Sequence, residues 1–464
     1  MNQFILATPF AVCYANDIDA LIPEHWAQEG LAILRENMVA ANLVHRDFQD
    51  EFARFGDTVH TRRPGEFVAK RKTNADSVTV QNATATDVPV VLNQHIHVSF
   101  MLKDGEETLA FQDLVATYLN PAMLANARLV DQIVLGQYPQ FLANWAGGLD
   151  IMTSSNVKEY ILATREKMNI NKAYTEGRNL IWTPSSETVA LSLAEFTNAQ
   201  NVGDDGTAMA EAFLGRKFGF QNWMCQNMAD VAIGSTTQNG AINNGAGYAA
   251  GTTALTVDSF TGAVPDNAWV TIAGDDTPHQ VAAATETLGN TTSLTLAAPG
   301  LRRAVADNAV IKVYTPGAVN LVAGYAAGYT KEIVVDGFTV APKVGQFVTF
   351  GAQTHKYTVM QATTTSLLLD RALEAALTDD LAVNIGPAGS YNFAFHRDAI
   401  TLVTRPLQPP RPGTGALSAV VSDEGVGMRA TITYNGSEQG HLVTLDFLLG
   451  VKVLDTNLGA VMFG

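Results

Sequence analysis

Cysteine is nearly absent. Cys13 and Cys225 are the only two in 464 residues, and their spacing matches neither a metal knuckle nor a redox motif, which excludes a disulfide-stapled fold and points to a reducing compartment. Charge is scarce too: Asp, Glu, Lys and Arg make up 16% of the chain, against about 25% in an ordinary globular domain. A chain this poor in charge is expected to cover much of its surface with something other than water. What charge there is leans acidic, with 45 Asp and Glu against 29 Lys and Arg and a formal net charge of -16. The chain as a whole therefore repels nucleic acid and acidic membranes, and any phosphate contact must be local. No apolar run reaches the ~18 residues of a membrane-spanning helix. The opening MNQFILATPFAV carries no Lys or Arg ahead of its apolar stretch, so a secretory signal is not expected and the cytoplasm is. Walker loops, Gly-x-Ser-x-Gly elbows and His-Glu-x-x-His helices are also missing.

A helix is expected over Pro23 to Asp50, where Trp26, Gly30, Ile33, Leu34, Asn37, Ala41, Val44 and Phe48 recur at spacings of three and four. From Gly56 to Leu102 the pattern turns to β-branched runs (VTVQN, VPVVLNQ, HIHVSFML) separated by turn residues, which predicts one long β-hairpin. Asn120 and Pro121 then open a helix striped by Met123, Ala127, Val130 and Val134, expected to reach about Trp145 if Pro139 only kinks it. Ser155 to Met228 alternates helical and strand patterns, and GSTTQNGAINNGAG reads as a linker.

Beyond that linker the chain repeats itself. GYAAGTTALTVDSFTG from Gly247 is echoed by GYAAGYTKEIVVDGFT from Gly324, and VTIAG, TTSLTL and ADNAVIKV by VTFGA, TTSLLL and TDDLAVNI. Five strands are expected in each copy, at Ala254 to Val257, Trp269 to Ile272, Gln280 to Ala283, Ser293 to Ala297 and Val310 to Tyr314, and again at Ile333 to Val335, Phe347 to Phe350, Lys356 to Met360, Ser366 to Leu369 and Ala382 to Ile385. This is a tandem duplication of a small five-stranded β-module. Trp269 and Phe347 occupy matching positions and are read as aromatic core residues. Strand patterns resume after the modules, in SYNFAFHRDAITLVTRPL and over the last fifty residues, which makes the modules insertions into a host.

Candidates for chemistry are few. GVGMRA from Gly425 resembles a loosened dinucleotide fingerprint, but it leads into a strand pattern. His95 and His97 share one strand face and are read as surface residues over a metal pair; Asp204-Asp205 and Asp275-Asp276 are read as loop caps over calcium ligands. The one charge cluster is HTRRPGEFVAKRK, with Arg62, Arg63, Lys70, Arg71 and Lys72. It lacks the interleaved aromatics of a strand-binding groove. We read it as a protein-contact arm seeking acidic patches on neighbouring copies, with Asp104, Glu106 and Glu107 as candidate partners. No catalytic residue, metal site or cofactor is expected.

Taken in order, FGDTVHTRRPGEF, YLNPAMLANARLVDQIV, KVGQFVTFGA, YNFAFHRDAITLVTRPL and HLVTLDFLLGVKVLD resemble the coat proteins of the P-twenty-two-like short-tailed phages. The resemblance implies an α+β, Hong Kong 97-like capsid fold. It assigns 1–54 to an N-terminal arm, 55–103 to an extended loop, 104–154 to the spine helix of a peripheral domain and 155–228 to an axial domain. The β-modules then fall at 229–323 and 324–390, and 391–464 returns to the axial and peripheral domains. The family usually carries one such module, so the first copy is a departure; bracing its own subunit, contacting a neighbour in place of a cement protein, and binding host surfaces are its three open roles, with the neighbour contact favoured. The resemblance further implies self-association into hexamers and pentamers, a scaffolding protein, a portal, a cement or decoration protein, non-specific contact with packaged DNA, no membrane, and a place in the virion capsid after assembly in host cytoplasm. Two rivals remain from other classes: a secreted adhesin or lectin-like protein whose tandem modules are its reading heads, and a hydrolase with accessory β-domains.

Overall fold

The computed structural model describes residues 21–46, 54–63, 69–72, 74, 77–78, 80, 86–103, 115–149, 152–197, 212, 214–231, 236–314, 316–338, 340–411, 413, 415–423 and 425–464. The first half runs α1 (Leu21–Asn37), β1 (Thr58–Arg63), β2 (Thr86–Val91), β3 (Gln94–Lys103), α2 (Asn120–Leu135), β4 (Trp145–Gly147), α3 (Val157–Ile170), β5 (Arg178–Trp182), α4 (Pro184–Leu191), α5 (Ala194–Thr197), β6 (Arg216–Lys217), β7 (Phe220–Met224) and β8 (Asp230–Val231). Twelve strands follow, β9 (Thr236–Ile242), β10 (Ala254–Asp258), β11 (Trp269–Ile272), β12 (His279–Thr287), β13 (Asn290–Leu296), β14 (Val310–Tyr314), β15 (Gly317–Val319), β16 (Ile333–Asp336), β17 (Phe347–Phe350), β18 (Tyr357–Ala362), β19 (Ser366–Leu369) and β20 (Ala382–Ile385). The chain closes with β21 (Gly389–His396), β22 (Ile400–Arg405), β23 (Ala416–Asp423), β24 (Val426–Asn435), β25 (Gly440–Val453) and β26 (Gly459–Phe463). No helix among the described residues is long and apolar enough to cross a membrane.

Two sheets form the host. One has seven strands in the order β4-β26-β21-β5-β7-β6 with β8 on β21; the other orders β22-β25-β24-β23 and adds β3 on β25. The fourteen-residue β25 holds the second sheet together, pairing with β24 from Asn435↔Gly440 onward, with β22 up to Ile400↔Val453, and with β3 from Gly440↔Lys103 to Leu449↔Gln94. Between the sheets lies the largest core, where α2 contributes Met123, Ala127, Val130 and Val134, the stripe expected from sequence.

Several expectations need correction. The first helix ends at Asn37, short of Asp50, and it lies against its own subunit: Trp26, Leu31 and Leu34 are buried in the host core, and Arg35 pairs with Asp423 on β23. The spine helix stops at Leu135, well before Trp145, and a 3-10 turn over Tyr138–Phe141 and β4 follow it. Pro139 supplies no N–H to continue the helical ladder, and Gly136 is pressed against Asp370 of another part of the chain, where an added Cβ would come within 2.9 Å of the Asp370 Cβ. The hairpin is read too far at its C-terminal end. Its described ladder pairs Thr58↔Val91 through Arg63↔Thr86; β3, which the sequence pattern assigns to the hairpin, belongs to the host sheet. Burial decides this, because β3 lays Ile96 and Leu102 into the core.

The duplicated segment builds two closed barrels, β10-β13-β12-β11-β14-β9 and β15-β16-β19-β18-β17-β20. Each has six strands, not five, and the order is the same in both once β9 is matched with β15. The stretch read as a linker supplies β9. A closed barrel leaves no strand edge exposed, which relieves a small all-β unit of its main liability.

GYAAG is a fastener in each barrel. Tyr248 exchanges backbone hydrogen bonds with Val305 (2.9 and 3.0 Å), and Tyr325 does so with Leu377 (2.8 and 2.9 Å). Each tyrosine hydroxyl then accepts from a strand N–H at 2.8 Å, Thr256 in the first copy and Val334 in the second. The preceding glycines, Gly247 and Gly324, sit at φ +65° and +63° with their Cα against the carbonyls of Val305 and Leu377, where a Cβ would overlap the oxygen. Only glycine takes that backbone at that distance. Asp307 and Asp379 complete the pattern by accepting from Asn244 N (2.8 Å) and Leu321 N (2.9 Å).

Candidate intersubunit surface

Among the described residues, β1 and β2 form a two-stranded sheet that joins no other. An isolated ribbon of this kind is marginal in water, so its root matters. Val90 and Leu92 are buried with Val403 and Leu448 of the host sheet, and Gly450 leaves room for the Val91 carbonyl, which an added Cβ would meet at 2.6 Å. The root is fixed, whereas Val78 (74% exposed) and Val80 (83%) present apolar side chains to solvent.

Of the basic cluster, Arg62 and Arg63 are the last two residues of β1, in register with Asp87 and Thr86. Asp87 itself is engaged by His60 Nδ1 at 2.7 Å. Lys70, Arg71 and Lys72 are exposed and outside regular structure. Asp104, Glu106 and Glu107, the expected acidic partners, lie outside the described residues. Asp204 and Asp205 also lie outside them.

The remaining candidates are occupied structurally. His95 Nε2 meets Asp446 Oδ2 at 3.0 Å, and Asp446 also binds Arg429 (Nε to Oδ1 2.9 Å, Nη2 to Oδ2 2.5 Å). Among the described residues, no group of three or more His, Cys, Asp or Glu is placed to hold a metal. Asp275 is fully buried and caps its own loop, taking Thr277 Oγ1 at 3.1 Å, His279 Nε2 at 2.7 Å and the Arg302 N–H at 2.8 Å. Cys225 is a buried free thiol, pushed up to about 12 chiefly by burial and next by Asp131.

The modules are fastened to the host at two places that motif reading did not find. In the first, Thr358 Oγ1 donates to the Gly136 carbonyl (2.8 Å) at the end of α2, Tyr138 OH to the Gly345 carbonyl (2.9 Å), and Gln137 Nε2 to Asp370 Oδ2 (3.0 Å). Asp370 is completely buried; it also accepts from Thr358 N (2.7 Å) and Arg371 Nη1 (2.9 Å), and Gln94 reaches its backbone carbonyl. Burial still holds its carboxyl above the ordinary value, against the pull of Arg371.

In the second, Arg303 Nη2 donates to the Gly147 carbonyl (2.8 Å), and the guanidiniums of Arg302 and Arg303 lie over the Trp145 ring at 4.9 and 5.8 Å. Trp269 and Phe347 are not barrel-core residues as expected. They point out of their barrels into the host core, meeting edge to face at 4.9 Å, with Trp269 Nε1 donating to Thr349 Oγ1 at 3.2 Å and Phe347 against Tyr391 at 6.1 Å. The only advance signal was that both copies keep an aromatic at one position.

No known family model matches the chain, and no curated protein matches it. Solved structures do. The capsid structure of the cyanophage P-SCSP1u is similar over 91% of this chain and 86% of its own, at 10% identity and TM-score 0.43. The asymmetric unit of the bacteriophage PhiM1 mature capsid is similar over 92% and 86%, at 8% identity and TM-score 0.39. A structure of Mycobacterium phage Che8 is similar over 92% and 90%, at 10% identity and TM-score 0.38.

Proposed function

We propose that this chain is the major capsid protein of a tailed bacteriophage, a structural protein that assembles with copies of itself, as hexamers and pentamers, into an icosahedral shell around double-stranded DNA. One observation carries the reading: a two-stranded ribbon rooted firmly on the host sheet and, among the described residues, joined to no other strand, with exposed valines and the cations Lys70, Arg71 and Lys72 in the segment between its strands. A marginal ribbon with apolar side chains in water is stabilised when a neighbouring subunit covers it. The order of parts supports the same conclusion, since ribbon, α2 and two barrels hung on one host are what a Hong Kong 97-like subunit with inserted modules requires. A sparse charge content of 16% suits a surface covered by several neighbours, each specific contact burying on the order of 1,000 Å² or more.

In this reading Arg62, Arg63, Lys70, Arg71 and Lys72 contact Asp104, Glu106 and Glu107 of adjacent copies. Scaffolding and portal proteins are its assembly partners, a decoration protein an optional one, and DNA touches the wall without sequence preference. For the extra barrel, bracing of its own subunit is the role that its contacts support, through Arg303 on Gly147 and Trp269 on Phe347. Electron microscopy of gradient-purified protein, expressed alone and with its neighbouring reading frames, tests the proposal. Closed shells of uniform diameter are expected. Monomers or small oligomers under every assembly condition would overturn it.

A further inference from the structure

Where the two barrels and the segment after α2 meet, a cavity of about 220 Å³ is lined by Leu142, Trp269, His279, Gln280, Arg302 and Lys356, among others. Two cations from different barrels face the same space. Arg302 is held in place by its ring contact with Trp145 and a long hydrogen bond from Nη2 to the Leu142 carbonyl (3.5 Å), yet its Nε and Nη1 are buried without an acceptor. Lys356 comes from the segment just before β18, and burial, with Arg302 second, pulls its ammonium below the ordinary value. The nearby carboxylate, Asp275, is already committed to His279, Thr277 and the Arg302 backbone N–H. Buried donors without acceptors and neighbouring like charges are both costly, and such groups are normally paired.

We propose that this cavity is an anion site, taking the tetrahedral oxyanion of phosphate. The bound oxyanion accepts hydrogen bonds from the Arg302 guanidinium of the first barrel and the Lys356 ammonium of the second. Charge-assisted bonds of this kind are about twice as strong as neutral ones. Its consequence is mechanical: one small ion ties the two barrels to each other beside β4 and offsets a repulsion built into their junction. A free phosphate ion and a phosphate group carried on a nucleotide share this chemistry. The cavity lies between parts of one subunit, which favours a small ion over an acidic side chain from another copy.

Inorganic phosphate, and in a parallel arm a nucleoside monophosphate, would be titrated into the full-length unassembled subunit in chloride buffer at constant ionic strength. Binding is read by calorimetry and by phosphorus NMR line width. Saturable binding of inorganic phosphate is expected, weakened about tenfold or more by Arg302→Gln and by Lys356→Gln. Because Arg302 also packs on Trp145, the lysine variant is the decisive one, and circular dichroism confirms its fold. Equal binding of both probes assigns the site to the phosphate group wherever it is carried, and binding of inorganic phosphate alone assigns it to the free ion. No saturable binding, or an affinity unchanged in Lys356→Gln, would overturn the proposal. So would loss of assembly in Lys356→Gln by a protein that binds no phosphate, which gives the cavity to a neighbour's carboxylate.

Discussion

Replacing Gly324 by alanine should open the second barrel and leave the first intact. Two costs add at this position. The backbone stands at φ +63°, where a Cβ costs roughly 1–2 kcal/mol of local strain, offset by about 0.5 kcal/mol because alanine restricts the unfolded chain. The Cβ would also overlap the Leu377 carbonyl oxygen, so the Tyr325–Leu377 bridge must spread and its two hydrogen bonds (2.8 and 2.9 Å) weaken, at about 1 kcal/mol each. A loss of about 3 kcal/mol follows. Gly328 is the control, because its φ is +87° yet nothing lies within 4 Å of an added Cβ; strain alone predicts about 1 kcal/mol there. Hydrogen exchange read by mass spectrometry separates the barrels, since it reports local opening. In peptides spanning β16 to β20, Gly324→Ala should lose about a hundredfold in protection and Gly328→Ala about fivefold, with peptides of β10 to β14 unchanged in both. Equal losses in the two variants would refute the close-approach account and leave backbone strain as the whole effect.

Two further outcomes can be checked on the purified chain. Asp131 on α2 is 1% exposed and accepts from Val39 N (2.9 Å) and Ala41 N (3.0 Å), and burial, outweighing these bonds, raises its carboxyl from 3.8 to about 6. Between those values the folded state holds a proton that the unfolded chain has released, so stability falls as pH rises from about 4 to about 6, by about 3 kcal/mol from this group, and levels off above; urea midpoints should show that slope in the wild type and lose it in Asp131→Asn, and an equal slope in both would refute the assignment. Trp269→Ala removes a ring 6% exposed, its edge-to-face contact with Phe347 and its bond to Thr349, and a loss of about 3–5 kcal/mol is expected, seen as early protease cleavage between the barrels, whereas wild-type resistance would show that the rings do not couple them.

The β-modules show where sequence reading succeeds and where it stops. Trp269–Ile272 and Phe347–Phe350 were legible to the residue, because each is a short run of β-branched and aromatic side chains. The sixth strand of each barrel was not. TTQNGAI and GAV lack the alternating pattern because Gly240 and Gly317 lie directly beneath the rings of Phe260 and Phe338, which supply from elsewhere the apolar cover a strand residue would normally carry. Hydrophobic periodicity cannot register a side chain contributed by a loop elsewhere in the chain. The same limit hid the junctions. Arg302 and Lys356 are 54 positions apart and meet only because both barrels close, just as Asp370 becomes a buried acceptor for Gln137 only once the second barrel lies on α2. The basic cluster was legible as composition, but the place of β3 was not, since Ile96 and Leu102 draw it away from the hairpin into the host sheet.

Why two copies persist follows from how they are placed in series. The equivalent outward rings do different work: Trp269 of the first barrel meets Phe347 of the second, and Phe347 meets Tyr391 of the host, which in turn meets Tyr138 at 5.0 Å and Phe463 at 5.7 Å. One inherited aromatic position thus joins barrel to barrel in one copy and barrel to host in the other. The polar fastenings divide in the same way. Thr358 and Asp370 hold the end of α2 from the second barrel, whereas from the first Arg302 and Arg303 clasp Trp145 and Gly147 on β4. Since β4 pairs with β26 and α2 lies in the host core, the two barrels grip the host at points about ten residues apart in sequence, at the end of α2 and at the start of the seven-stranded sheet. A single barrel would brace only one of them. Loss of either copy should therefore free one end of the Gly136 to Gly147 segment, which connects α2 to the seven-stranded sheet.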